Sequence, residues 1–251
     1  MENEGRAGSR WLDVAPERLA AWLDSFAQRH GDLAVEASPA VLTFRAADGA
    51  VATCHPPFPP FPPLQPGPAS PAGTVSPADV AGSALRLCQH ATADRMVGVL
   101  LVRLGGYAAG VFSGGASGGD GPRLVASKVG SRLVHGRSAA GGTSQRRFAR
   151  RREKQAAEAL GAAADCAAAV LGPYAGRLDA VVLGGDKRAM AGLRDDPRLR
   201  PVFDLAVDRF LTVPDPRLAV LRGTPRLFLA IRVQLAEPAR ETALPGRPDD
   251  Q

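Results

Sequence analysis

Cysteine, lysine, histidine and aromatic residues are all scarce in this 251-residue chain. Its three cysteines, Cys54, Cys88 and Cys166, are odd in number and scattered, which argues against a disulfide framework. No apolar run reaches the roughly 18 residues that a membrane-spanning helix needs, so no membrane partner is expected. The opening MENEGRAGSRW has no apolar signal core, and a soluble cytoplasmic protein is the expectation. There is no Gly-x-Ser-x-Gly elbow, which disfavours a serine hydrolase. Gly184-Gly185-Asp186-Lys187 lacks both the full Walker pattern and the Gly-x-Gly-x-x-Gly fingerprint, and reads as a tight strand-to-helix turn. Asp94, Asp179 and Asp186 have no diagnostic spacing, which counts against two-metal chemistry. Cys54-His55 and Cys88-Gln89-His90 give awkward geometry for zinc, so no metal and no organic cofactor is expected.

What the chain does have is apolar content and one concentrated charge. Hydrophobic residues make up 45% and charged residues 22%, enough to bury a sizeable core and to exclude global disorder. The length allows one large domain, or one domain with a small appendage. Of 31 basic residues only three are lysines: Lys128, Lys154 and Lys187. Arginine richness alone can follow from base composition, but even composition does not cluster. Between Arg123 and Lys154 there are ten basic residues and one acid, Glu153, a local charge of +9. Against +6 for the whole chain, everything else carries −3. That segregation points to one polyanion-facing surface.

Periodicity divides the chain into four stretches. Residues 1–55 form an N-terminal extension. Pro16 suits the first turn of a helix carrying Leu19, Trp22, Leu23 and Phe26, which Gly31 can end. Two short strands, 41–45 and 50–53, flank the hairpin signal Asp48-Gly49. Residues 56–77, with PPFPPFPPLQPGP, read as a linker or polyproline-type loop. Residues 78–237 hold a short helix to about 89 and three strands over 96–104, 107–113 and 124–132. A long helix over 144–171 follows, with Ala156, Ala159, Ala163 and Ala167 as its inward stripe. Then come a strand at 179–183, a short helix at 187–193, and strands near 210–213 and 227–235. This is an α/β pattern, a mixed sheet flanked by helices, with the extension as a small α+β addition. The tail 238–251 is expected to be disordered.

The informative stretch is His135–Arg152, HGRSAAGGTSQRRFARRR. Gly141 and Gly142 let the backbone approach a ligand closely. Thr143 or Ser144 can cap the helix, whose first turn offers free N–H groups to an anion. Arg146 and Arg150 share one helix face, and Arg147 and Arg151 another, a ladder that can hold successive phosphates. Arg137 adds a cation in the loop. Gln145 is the one non-basic, chemically versatile side chain at the tip. It can orient a water or a ribose hydroxyl through its amide, while nearby backbone N–H groups stabilise a developing oxyanion.

These residues carry a resemblance. HGRSAAGGTSQRRFARRREKQ resembles the catalytic loop and following helix of the middle domain of eukaryotic and archaeal class I release factors. LDAVVLGGDKRAMA, residues 178–191, is similar to the strand, loop and helix that follow in that domain. The similarity is greatest to the Vms-like release factors, in particular their actinobacterial branch, and covers roughly residues 95–235. In register with the release-factor tip, Thr143 stands where that family has its glutamine. Gly142-Thr143-Ser144-Gln145 instead matches the Gly-x-x-Gln pattern of the Vms-like proteins. The resemblance implies an RNase H-like middle-domain fold, a peptidyl-tRNA hydrolase, and peptidyl-tRNA and the large ribosomal subunit with its RNA as partners, the protein acting as a monomer. It assigns Gln145, Gly142 and Gly141 to catalysis. Arg137, Thr143, Ser144, Arg146, Arg147, Arg150 and Arg151 fall to RNA binding. Two alternatives stay open: a tRNA endonuclease cutting near the CCA end with the same loop, and a non-enzymatic RNA- or ribosome-binding factor that needs the arginines but not Gln145.

Overall fold

Short alternating segments early in the chain become strands of one antiparallel sheet, and the long apolar ones become the core of another. A computed structural model describes residues 9–62, 77–103, 105–116, 121–132 and 144–238; for 144–152 it gives the helical path. In chain order these form β1 (Ser9–Val14), α1 (Leu19–His30), β2 (Leu33–Ala37), β3 (Leu42–Ala46), β4 (Val51–His55), α2 (Pro77–Thr92), β5 (Arg95–Arg103), β6 (Gly106–Gly114), β7 (Arg123–Ser131) and α3 (Ser144–Leu171). There follow β8 (Ala180–Gly185), α4 (Lys187–Leu193), α5 (Arg200–Asp204), β9 (Ala206–Leu211), α6 (Leu218–Phe228) and β10 (Ile231–Ala236). The chain divides into two units, one holding residues 1–56, 60–88 and 231–251, the other 57–59 and 89–230.

The first unit is an antiparallel sheet in the order β1-β10-β4-β3-β2. Leu42, Phe44, Cys54, Ile231, Val233 and Leu235 are buried on alternate positions, as are Leu19, Leu23 and Phe26 of α1. The β3–β4 hairpin turns at Asp48-Gly49, where Gly49 has a φ of 90°. Asp48 accepts from Ala50 N (2.9 Å) and pairs with His30 Nδ1 (2.8 Å). These two interactions, the backbone one foremost, hold its carboxyl below the usual value. Elsewhere in the sheet, Arg232 lies 4.8 Å over the ring of Trp11.

The second unit has the order β7-β6-β5-β8-β9. β5, β6 and β7 run antiparallel, while β5–β8 and β8–β9 are parallel. Helices cover both faces, so β5 is apolar on both sides, as VGVLLVRL required. Leu100 and Val102 face α3, α4 and α5, in a cluster with Ala163, Ala167, Met190, Leu193 and Phe203. Val97, Val99 and Leu101 face α6, with Leu221 and Phe228. Gly110 lets α6 approach, since a Cβ there would lie 2.9 Å from Leu221 Cδ2. The turn after β8 is tight, as expected. Gly185 takes a φ of 101°, and Asp186 caps α4 by accepting from Arg188 N (2.7 Å) and Ala189 N (3.1 Å).

Several boundaries differ from the sequence expectation. β1 and β2 were not foreseen, because both are short, largely exposed and paired with distant or local polar strands. Residues 227–235 are not one strand. They split into the end of α6 and β10, and β10 pairs with β1 and β4 in the first unit instead of ending the 78–237 domain. α6 escaped notice because it holds Pro225. Proline removes the N–H that would reach Leu221 O, and Thr224 Oγ1 donates to that carbonyl instead (2.7 Å). Most of the proline-rich stretch and the tail beyond 238 lie outside the described residues.

His90 packs within this second unit. Its Nε2–H donates to Phe58 O (2.7 Å), and its Nδ1 faces Arg95 (3.4 Å), whose guanidinium also lies 4.7 Å over the Phe58 ring. This arrangement requires the neutral ring. Burial, opposed by the bond to Phe58 O and aided by Arg95, lowers the His90 pKa below its ordinary 6.5. The unfolded chain therefore takes up the proton first as pH falls, so stability is full above about 6.5 and declines below it. Thermal midpoints should fall on acidification from neutral pH, and His90→Gln, which keeps a donor for Phe58 O, should flatten that fall. An equally steep decline in the variant would show that His90 does not carry it.

Candidate active site

The site is built where β7 hands the chain to α3. β7 ends at Ser131, and Arg132 N donates to Gly105 O (2.9 Å), closing the strand against the β5–β6 turn. Arg137, Gly141, Gly142 and Thr143 lie outside the described residues, as does the rest of 133–143. The path resumes at Ser144, the first residue of α3. Ser144, Gln145, Arg146, Arg147, Arg150 and Arg151 thus occupy the first turns of that helix. The two members of each arginine pair stand about 6 Å apart along the axis, at a rise of about 1.5 Å per residue.

α3 runs for 28 residues, and its described buried side chains lie in its second half. Ala159, Ala163, Ala164, Ala167 and Leu171 are buried, packed with Ala109 and Val111 of β6 among others. Small side chains let a helix lie close to a sheet. Cys166 Sγ donates to Lys128 O of β7 (3.5 Å), and burial keeps its thiol pKa raised. Ala156 departs from the expected stripe and is exposed, as are Glu153, Lys154, Ala157 and Glu158. The stripe keeps its phase, but these residues lie beyond the part of α3 that meets the sheet. The first buried side chain described in α3 is Ala159, so roughly 22 Å of helix, at 1.5 Å per residue, separates it from Ser144.

The described cations of the basic segment, Arg123, Lys128, Arg132 and Lys154, are all exposed. Lys154 pairs only loosely with Glu158 (3.9 Å), and no ion pair is seen for the other three among the described residues. Sequence reasoning missed one further cation. Arg222 of α6 lines an open groove of about 430 Å³ together with Arg123, Leu124, Val125 and Ser127 of β7. A lone arginine in an unrecognised helix gave no signal.

Of the cysteine and histidine pairs weighed for zinc, Cys54 is fully buried, and burial pushes its thiol up to about 12. Cys88 Sγ donates to Pro16 O (3.0 Å). Among the described residues, no three His, Cys, Asp or Glu side chains are grouped to hold a metal ion, and no helix is long and apolar enough to cross a membrane.

A strand that feeds a glycine loop into an arginine-rich helix, on a mixed sheet flanked by helices, defines a translation release-factor type of domain, and residues 95–234 match the profile of one such family. The chain belongs to the Actinobacteria/chloroflexi VLRF1 release factors. Among solved structures, it is similar to the archaeal translation termination factor aRF1, with 12% identity and a TM-score of 0.38, over 86% of this chain and 63% of that one. It thus spans less than two thirds of that factor's length. It is also similar to the Vms1 mitochondrial localization core, with 10% identity and a TM-score of 0.31, over 76% of this chain and 74% of that one. No curated protein matches the sequence.

Because the alanine stripe packs α3 closely against β6, enlarging it should strain that contact. Ala167→Leu, at a position with no exposure, should cost about 1–3 kcal/mol through overpacking against β6. Urea denaturation monitored by circular dichroism measures this; a midpoint equal to that of the parent would refute the packing role.

Proposed function

We propose that this chain is a ribosome-associated peptidyl-tRNA hydrolase that releases nascent chains from stalled ribosomal complexes. The observation that carries the reading is the family match over 95–234, which includes Gly142-Thr143-Ser144-Gln145 at the entry to α3. Gln145 orients a water at the ester carbonyl carbon. The water oxygen bonds that carbon, the bond to the ribose 3′ oxygen breaks, and the products are a peptide carboxylate and a tRNA 3′ hydroxyl. Glutamine has no useful pKa, so it positions the nucleophile and does not take its proton. Free N–H groups of the first helical turn favour the oxyanion that forms on the way. Gly141 and Gly142 let the loop enter a crowded catalytic centre. Thr143 and Ser144 approach the same RNA, and Arg137, Arg146, Arg147, Arg150 and Arg151 hold phosphates. The protein works in the cytoplasm as a monomer, without metal or organic cofactor.

Large ribosomal subunits carrying labelled peptidyl-tRNA test this directly. Gln145→Ala should slow release by on the order of 100-fold or more, as loss of one positioned donor does, while subunit binding persists. Release at the parental rate would sink the assignment. The tRNA 3′ end reports the bond broken: an intact end means ester hydrolysis, whereas terminal nucleotides left on the peptide mean cleavage near the CCA end.

The arginines should act separately from Gln145. Replacing Arg146 and Arg150 together by alanine should weaken RNA binding and make its dependence on log salt shallower by about 1.5, at roughly 0.7–0.9 for each phosphate that is no longer neutralised. An unchanged slope would remove the phosphate-gripping role.

A further inference from the structure

Some surface cations of this protein have acidic partners. Arg10 meets Glu237 (3.2 Å), Arg45 meets Glu36 (3.5 Å), Arg232 meets Asp13 (3.9 Å), and Arg198 meets both Asp165 (2.8 Å) and Asp196 (2.7 Å). The surface made by β7 and α6 is different. Neither element contains an acidic residue. Arg123, Lys128, Arg222 and Arg226 are all exposed on them, and none has an ion pair among the described residues. Like charges brought together without counter-charges favour an anionic partner.

The geometry adds a place for one. β7 is the edge of its sheet, so among the described residues one side of its backbone has no strand partner. The β6–β7 register shifts between Val111 and Phe112, and Val125 is left out of the pairing, which is a bulge on the edge strand. At that bulge lies the groove of about 430 Å³. Arg123 and Arg222 line it from two elements, Leu124 and the part-exposed Val125 supply apolar wall, and Ser127 supplies a hydroxyl; no carboxylate is among its described lining residues. Two arginines beside apolar wall suit a nucleotide unit, with the phosphate on the guanidinium groups and the sugar or base on the aliphatic side chains.

We propose that this groove is a second RNA-binding site, distinct from the α3 ladder, in which Arg222 and Arg123 hold a phosphodiester of single-stranded RNA. Charges on an edge strand also keep it from pairing with other chains, which accounts for Lys128. That does not account for Arg222, which stands on a helix and faces the same groove. The inference takes RNA as partner from the proposed function but makes no use of Gln145.

Fluorescence anisotropy of a labelled oligouridylate with the full chain tests it. Arg222→Glu should weaken binding about tenfold and make the salt dependence shallower by about 0.7, the value for one phosphate of a single strand. Arg222→Lys should retain most of the affinity, and Arg29→Glu, an equal charge change on an exposed position of α1, should leave it near parental. Arg222 is exposed, so circular dichroism and thermal midpoints should not move. Equal binding by Arg222→Glu and Arg29→Glu overturns the groove. Release by Gln145→Ala is read separately: loss of RNA binding in Arg222→Glu with full release in Gln145→Ala removes the hydrolase and keeps the groove, and the converse removes the groove alone.

Discussion

The seating of α3 on β6 and β7 is the interaction on which the second unit depends. Its elements are small: Ala159, Ala163 and Ala167 on the helix, Ala109 and Val111 on the sheet. Each buried methyl contributes only about 0.8 kcal/mol, so the stripe acts mainly by letting helix and sheet approach without a void. Cys166 donating to Lys128 O fixes the register of α3 along β7. With half the helix fixed, the direction of its first turns is fixed too, because an α-helix transmits orientation along its length. The start of α3 at Ser144 thus takes its direction from packing that begins at Ala159.

The sheet beneath obeys a similar economy. β5 is its middle strand, antiparallel to β6 on one side and parallel to β8 on the other. Its core positions are apolar on both faces, and glycine stands where neighbouring chain comes closest. At Gly98 a Cβ would stand 3.2 Å from Leu178 Cδ1 and Val181 Cγ2. At Gly185 it would stand 2.2 Å from Val102 O, and the backbone turns there with positive φ to start α4. The Gly184-Gly185-Asp186-Lys187 segment, which superficially suggests phosphate binding, is explained by this turn and by the Asp186 cap.

Elements whose patterns are locally complete were legible in the sequence. β5 shows a continuous apolar run, α3 a long 3.6-residue period, and α4 a cap followed by a short apolar stripe. Elements stabilised from far away were not. β10 alternates cleanly, but its partners β1 and β4 lie far away in the chain, so its place in the first unit could not be read from it. α6 conceals itself because Pro225 breaks the usual pattern, and only the tertiary structure reveals that Thr224 repairs the lost bond. For the candidate site, residue order was readable: glycine pair, capping residues, glutamine, arginines. Arg222 was not, since only the packing of α6 on β6 brings it to the edge of β7.

Electrostatics separates two kinds of surface on one chain. Exposed pairs such as Arg198 with Asp165 and Asp196 contribute little to stability, typically at most about 1 kcal/mol. Their consequence is neutrality: such a surface neither attracts nor repels a polyanion strongly. β7 and α6 carry exposed cations and no acids, and Arg123 and Arg222 line one groove, where the fields of the two charges add. Self-repulsion of this kind gives folding nothing. It becomes favourable when counterions are exchanged for phosphates, whose release of condensed ions makes association strong and salt-dependent. The net charge of +6 is therefore a poor guide by itself, since the stretch from Arg123 to Lys154 alone carries +9.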